Sequence, residues 1–187
     1  MSKSLRIVIL SDTHGELDHR IAREAIDSDV IVHAGDIGCR EVLDALAPGN
    51  GKLIAVRGNN DVRDKWHESD WGLLESLPWE ARLALPGGDL VVVHGHRYGY
   101  PGRHHESMRH DYPDARLVVY GHSHLACSDE SAVPWILNPG AAGRVRTFGG
   151  PAFCILNAST SGWHIDARQF PDAATEVQAS LARSSSA

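Results

Sequence analysis

Seven residues able to ligate a metal lie in five short segments of this chain: Asp12 and His14, Asp36, Asn59, His94, and His122 with His124. Carboxylate, imidazole and amide groups together suit divalent transition ions. Seven candidates exceed the four that close a tetrahedral structural zinc site. They match two ions sharing a bridging carboxylate, a pair ~3.5–4 Å apart that polarises a phosphoryl oxygen, generates hydroxide at neutral pH and clamps an in-line displacement. The charge balance agrees, because the histidines and the amide are neutral. Two divalent ions outweigh Asp12, Asp36 and a bridging hydroxide, so the centre is left slightly positive and attracts an anion such as phosphate.

Each candidate follows an apolar run. Leu5–Leu10 leads into Ser11-Asp12-Thr13-His14, and Val30–Ala34 into Gly35-Asp36. Leu53–Val56 leads into Arg57-Gly58-Asn59-Asn60-Asp61, Leu90–Val93 into His94-Gly95-His96, and Leu117–Tyr120 into Gly121-His122-Ser123-His124. Ligand-binding residues of α/β proteins gather beyond the carboxyl ends of strands, so the five runs read as strands aiming one polar site. Asp12 and His14 stand two apart, as do His122 and His124, the spacing at which strand side chains point the same way.

Glu16–Asp27 carries Leu17, Ile21, Ala22, Ala25 and Ile26 at helical spacing, and Arg40–Leu46 reads as a short helix stopped at Pro48-Gly49. The resulting βαβαβ order implies a parallel sheet with covering helices. Asp64–Leu77 reads as one helix or two short ones, and Tyr98–Pro113 as loop plus a short helix. Glu80–Leu85 and Asp89–Val93, around Pro86-Gly87-Gly88, read as a β-hairpin. Further strands are expected at Arg116–Tyr120, Ala126–Ser128, Pro134–Leu137, Pro151–Asn157 and Gly162–Asp166. Ala173–Arg183 reads as a terminal helix before a frayed end at Ser184–Ala187. No repeat or linker interrupts the chain. One domain is expected over 1–187, with a core at about 5–166, a tail over 167–187, and two sheets packed face to face with helices outside.

The composition, with hydrophobic residues at 42% and charged ones at 22%, is that of a globular protein. A net charge of -6 disfavours a nucleic-acid-coating role, which needs a basic stripe. Cys39, Cys127 and Cys154 cannot all pair and form no CxxC, so they read as reduced thiols in a cytoplasmic protein. Met1–Ser4 enters the first strand with no secretory leader, and no apolar run is long enough to span a membrane. Self-association is left open.

The series Asp-x-His, Gly-Asp, Gly-Asn, His-Gly and Gly-His-x-His resembles that of the calcineurin-like metallophosphoesterases. Asn138-Pro139-Gly140 matches their small bacterial and archaeal phosphodiesterase branch. The resemblance runs from Leu5 to about Asp166. It implies a four-layer αββα sandwich of two mixed sheets flanked by helices. It also implies one metal held by Asp12, His14, Asp36 and His124, and a second held by Asp36, Asn59, His94 and His122, with Asp36 bridging. The implied metal is manganese, although iron, nickel and zinc suit the same ligands. The implied activity is hydrolysis of a small phosphate ester, most readily a diester, by a bridging hydroxide, with Asp36, Asn59 and His94 fixing the geometry. Two positions depart from the pattern. Asn60 stands where many members have a His thought to assist the leaving group, and Ala141 where a Ser commonly follows Asn-Pro-Gly.

Singly, the candidates have ordinary structural uses: Asp12 as a helix N-cap, Gly58-Asn59 as a turn. Seven in register do not. Asp61 reads as a turn residue or a support to the ligands, and His33 as a core residue that orients one. His96 either lines the substrate pocket, where it is the candidate proton donor, or is hydrogen-bonded structure. His104, His105 and His110 with Arg97, Arg103 and Arg109 form a solvated helix face or a phosphate-steering rim, and Arg144 and Arg146 invite the same two readings. Trp66 and Trp71 read as core or interface. The alternative to an enzyme is a protein-interaction scaffold of the same fold, like the retromer subunit that has lost a functional metal site. Ligand completeness favours the enzyme. A Rossmann nucleotide-binding domain lacks its Gly-rich fingerprint here.

Overall fold

The computed structural model describes residues 4–47, 51–99 and 104–172. In chain order the elements are β1 (Leu5–Leu10), α1 (His19–Ala25), β2 (Val30–His33), α2 (Arg40–Ala45) and β3 (Lys52–Ala55). Two 3-10 turns, Arg63–Lys65 and Glu68–Asp70, lead into α3 (Trp71–Ser76). The hairpin β4 (Glu80–Leu85) and β5 (Gly88–Val93) follows, then α4 (His104–Asp111), β6 (Leu117–Val119), β7 (Cys127–Asp129), β8 (Trp135–Asn138), β9 (Ala152–Ser159) and β10 (Gly162–Gln169).

Two five-stranded sheets result, in the orders β10-β9-β1-β2-β3 and β4-β5-β6-β8-β7. Each is mixed. The neighbours β1, β2 and β3 are parallel, while β9 pairs antiparallel with β1 and β10 antiparallel with β9. In the second sheet β5, β6 and β8 are parallel, with antiparallel edges at β4 and β7.

Alternation along the strands sorts the side chains into three apolar layers, since successive residues face opposite sides of a sheet. Ile7, Ile9 and Val32 from one sheet pack against Leu90, Val92, Leu117 and Val119 from the other. Val8, Leu10 and Ile31 on the outer face meet Ile21, Val42, Leu43 and Leu74 of α1, α2 and α3. Val91, Val118 and Ile136 meet Met108 and Tyr112 at α4. The architecture is therefore the expected αββα sandwich. Trp66 is buried in the second layer, with Trp71 packed against it. Among the described residues no helix is long and apolar enough to cross a membrane.

Several boundaries move for local reasons. The first helix begins at His19, not Glu16, because Asp18 caps it by accepting the Arg20 N–H, and Glu16 N–H closes a turn on the Thr13 carbonyl. Asp12 is not its cap. Asp64–Leu77 is broken into two 3-10 turns and a helix, and β10 runs past Asp166 to Gln169. The expected helix stop at Pro48-Gly49, the helix at Ala173–Arg183 and the frayed end lie outside the described residues.

Candidate metal centre

The loops leaving β1 and β2 run side by side beyond their strands, joined by backbone bonds from Asp12, His14 and Gly15 N–H to the carbonyls of Gly35, Asp36 and Ile37. Asp12 and His14 are thus past the pleat, and strand alternation is not what aims them together. Their backbones are left-handed, with φ 55 and 49°, as are those of Asp36, His122 and His124 at 54, 69 and 62°. The convergence comes from tight turns. Two glycines permit it. A Cβ on Gly58 would stand 2.1 Å from Asp36 Oδ1, and one on Gly35, at φ +92°, 2.7 Å from His94 Nδ1.

The ligand atoms gather in two overlapping groups, each with all its atoms within 4.8 Å: Asp12, His14 and His124, and Asp12, Asp36 and His94. His14 Nε2 lies 3.1 Å from His124 Nε2, and His124 Nε2 lies 3.5 Å from Asp12 Oδ1. Asp36 Oδ2 is 3.7 Å from His14 Nε2 and 3.3 Å from His94 Nε2. Asn59 Oδ1 stands 3.1 Å from that same His94 nitrogen. His122 lies beside these groups, its ring edge-on to His94 at 5.3 Å between centroids and its backbone N–H donating to the Asp12 carboxylate. His96 is next to both, 5.7 Å from the His94 ring and 6.3 Å from that of His122.

The imidazoles are oriented for ligation. His94 Nδ1 donates to the Ala34 carbonyl at 2.8 Å and His124 Nδ1 to that of Val145 at 2.8 Å. A carbonyl only accepts, so Nδ1 carries a proton and Nε2 is the atom turned toward the site. His33 works one layer out. Its Nδ1 accepts the Gly35 N–H, and its Nε2 meets the Thr13 hydroxyl at 2.9 Å, which itself donates to Ile37 O. That relay ties together the two loops carrying Asp12, His14 and Asp36. Asp61 is buried and accepts from the N–H groups of Ile37, Gly38 and Gly58 and from Trp66 Nε1.

Burial pushes Asp12 up to about 7, more than its hydrogen bonds and nearby His94 pull it down. Asp36 is buried too, yet its bonds to His94 and Asn60 outweigh desolvation and hold it well below the usual carboxylate range. His94 is the counterpart: burial opposes its charge, but the Asp36 and Asp12 carboxylates raise its pKa. Burial lowers His33 to about 3 and His124 to about 4. Carboxylates that share protons with imidazoles in one pocket are a donor set suited to divalent cations.

His33 gives a stability prediction for chelator-treated protein. Between its folded value of about 3 and the ordinary 6.5, the folded chain binds fewer protons than the unfolded one. Its contribution is therefore complete above pH 6.5 and is lost as pH falls. Asp12, raised from 3.8 to about 7, opposes this, because its contribution declines as pH rises through that window. His33→Gln should make the urea midpoint gain less, or lose more, as pH rises from 4.5 to 6.5. Unchanged slopes would show that His33 already protonates in the folded chain.

The basic stretch around α4 divides, part of it the solvated face expected and part of it tied into the fold. His104 and His105 both reach the Tyr120 hydroxyl, at 3.0 and 3.1 Å, and His105 and Arg109 pair with Asp129. Arg97 and His110 are exposed, and Arg103 lies outside the described residues. Arg144 is exposed and pairs with Glu16, whereas Arg146 Nη2 lies 3.0 Å from His124 Nε2. Asn60 is tied to Asp36 twice, by its N–H at 2.8 Å and its Nδ2 at 2.7 Å, and its Oδ1 accepts from Lys65. Neither Thr13 nor Lys65 announces itself by spacing. The Thr within Asp-Thr-His was the one local cue.

A family model for the calcineurin-like phosphoesterase superfamily domain matches residues 5–161. A probable metallophosphoesterase of Bacillus subtilis is 24% identical over 178 residues, covering 93% of this chain and 95% of its own length. A phosphodiesterase of Methanocaldococcus jannaschii is 28% identical over 145 residues, 73% of this chain and 83% of its own. Among solved structures, wild-type Vps29 of Entamoeba histolytica, complexed with zinc, superposes with a TM-score of 0.69 at 14% identity over 89% of this chain and 99% of its own, a likeness of fold. With the family model spanning every one of the five ligand-bearing loops, the chain belongs to the calcineurin-like phosphoesterase superfamily.

Proposed function

We propose that this protein is a metal-dependent phosphodiesterase acting on a small phosphate ester. Asp12, His14, Asp36 and His124 would hold one divalent ion, and Asp36, Asn59, His94 and His122 a second, with manganese the first choice. The observation that carries this reading is the placement of Asp36 Oδ2 between His14 Nε2 and His94 Nε2, 3.7 and 3.3 Å away. One carboxylate faces both halves of the site. Two such ions supply Lewis acidity, a hydroxide nucleophile at neutral pH and neutralisation of developing charge. The chain's own groups do the rest. Arg146, against His124 at the rim, is placed to bind the ester's non-bridging oxygens as a guanidinium fork. Asn60 holds Asp36 in place by two hydrogen bonds. Three free cysteines agree with a reducing compartment, and the whole chain is read as one domain.

Asn60 has both amide ends engaged, by Asp36 and Lys65, and has no acidic proton to give a departing alkoxide. A positioned general acid is worth ~10²–10⁴ in rate. Diesters should therefore react faster than monoesters on metal-reconstituted protein, and kcat should fall steeply as the leaving group changes from nitrophenol to alkyl alcohol. A matrix of metals against such esters on chelator-stripped protein measures both. No turnover with any metal, in protein that remains folded, would overturn the enzyme reading. A shallow slope that steepens in His96→Ala would assign the proton to His96.

A further inference from the structure

Trp79 is 48% exposed, whereas Trp66 and Trp163 are 5% and 7% exposed in the core. An indole left in water forgoes much of the stabilisation that burial brings, and this one is held rigidly. The Arg57 guanidinium carbon lies 4.9 Å from the centre of its ring. Arg57 is itself fixed, by its Nε donating to Asp61 O at 2.7 Å and its N–H to Pro78 O at 2.8 Å. On the site side Trp79 meets His96, with centroids 5.8 Å apart and planes tilted by 53°. His96 in turn lies against His94 and His122. A continuous path of rings thus leads from an exposed indole to the candidate ligands. His96 Nδ1 is buried and has no hydrogen-bond partner among the described residues. A buried polar atom of that kind is ordinarily satisfied.

We propose that Trp79, backed by Arg57 and flanked by His96, is a stacking site for a nucleobase, so that the esters bound here are nucleotides. The inference rests on the phosphoesterase reading above and names its substrate class. The phosphate occupies the ligand cluster and Arg146, the base lies on the exposed indole, and the His96 ring stands between the two. Tryptophan suits this use, since every base offers a flat π-face and a rigid indole loses little entropy on binding.

The test is calorimetric binding of adenosine monophosphate and of ribose 5-phosphate, which lacks the base, to manganese-loaded protein. Trp79→Ala should weaken adenosine monophosphate about 10-fold or more, the scale of one lost base–aromatic stack, and leave ribose 5-phosphate unchanged. Trp79→Phe should restore most of the difference. Equal weakening of both ligands would make Trp79 a structural support, and no weakening of either would remove it from the site; each overturns the proposal. Turnover of an aryl diester, assayed on the same manganese-loaded protein, separates this inference from the enzymatic one. Base discrimination without any hydrolysis leaves the stacking site standing and the catalytic reading fallen, and hydrolysis without discrimination does the reverse.

Discussion

Asp36→Asn should lower kcat by on the order of 10³-fold or more and reduce the bound metal from the proposed two ions per chain to one or fewer. The substitution removes the charge that faces both halves of the site. It also puts an amide donor where an acceptor stood, facing either Asn60 Nδ2 or the Asn60 backbone N–H, whose nitrogens lie 2.7 and 2.8 Å from the two carboxylate oxygens. Each other proposed ligand serves one ion, so its loss should cost less at saturating metal. Metal analysis on dialysed protein, alongside turnover of an aryl diester, checks both parts. Asp12 is the serious rival, because it belongs to both ligand groups. A larger loss in Asp12→Asn would move the bridge there.

Asp61→Ala should destabilise the fold by about 3–5 kcal/mol, the scale of breaking a buried charged network. Four donors lose their acceptor at once: the N–H groups of Ile37, Gly38 and Gly58 and the indole N–H of Trp66. The first two lie in the loop after β2 and the third in the loop after β3, so the same change slackens both sides of Asp36. Thermal unfolding should shift down by on the order of 10 °C, and metal affinity should fall with it. A variant that melts like the wild type would mean that water replaces the carboxylate without loss.

The strands were legible because their cause is local. Leu5–Leu10 appears where its apolar run lies, since a run of that length must be buried, and Glu80–Leu85 appears where alternation before Pro86-Gly87-Gly88 marks a hairpin arm. All seven ligand candidates were legible as types, and the structure brings six into direct neighbourhood while His122 stands at the edge. The means was misread. The two-residue spacing at Asp12 and His14 looked like pleat alternation, but the strand stops at Leu10 and left-handed turns do the aiming. No spacing rule could reveal Lys65 on Asn60, Arg146 on His124 or Trp79 beside His96. These are meetings between segments that only packing decides, and the α4 histidines show the converse: a basic stretch suggestive in sequence turns to Tyr120 and Asp129.

The left-handed turns also bear on how such a chain can change over generations. A side chain held at positive φ costs roughly 1–2 kcal/mol relative to glycine, and His14, His122 and His124 all sit there, at 49, 69 and 62°. None belongs to the three apolar layers that hold the sandwich together. Drift of the partly exposed His14 or His122 to glycine would relieve that strain while dismantling the proposed site, whereas His124 is buried and donates to Val145 O, so its loss costs the fold as well. On the proposed reading, selection for turnover is what keeps His14 and His122 at these strained positions, and a lineage released from it could exchange them while keeping the sandwich intact.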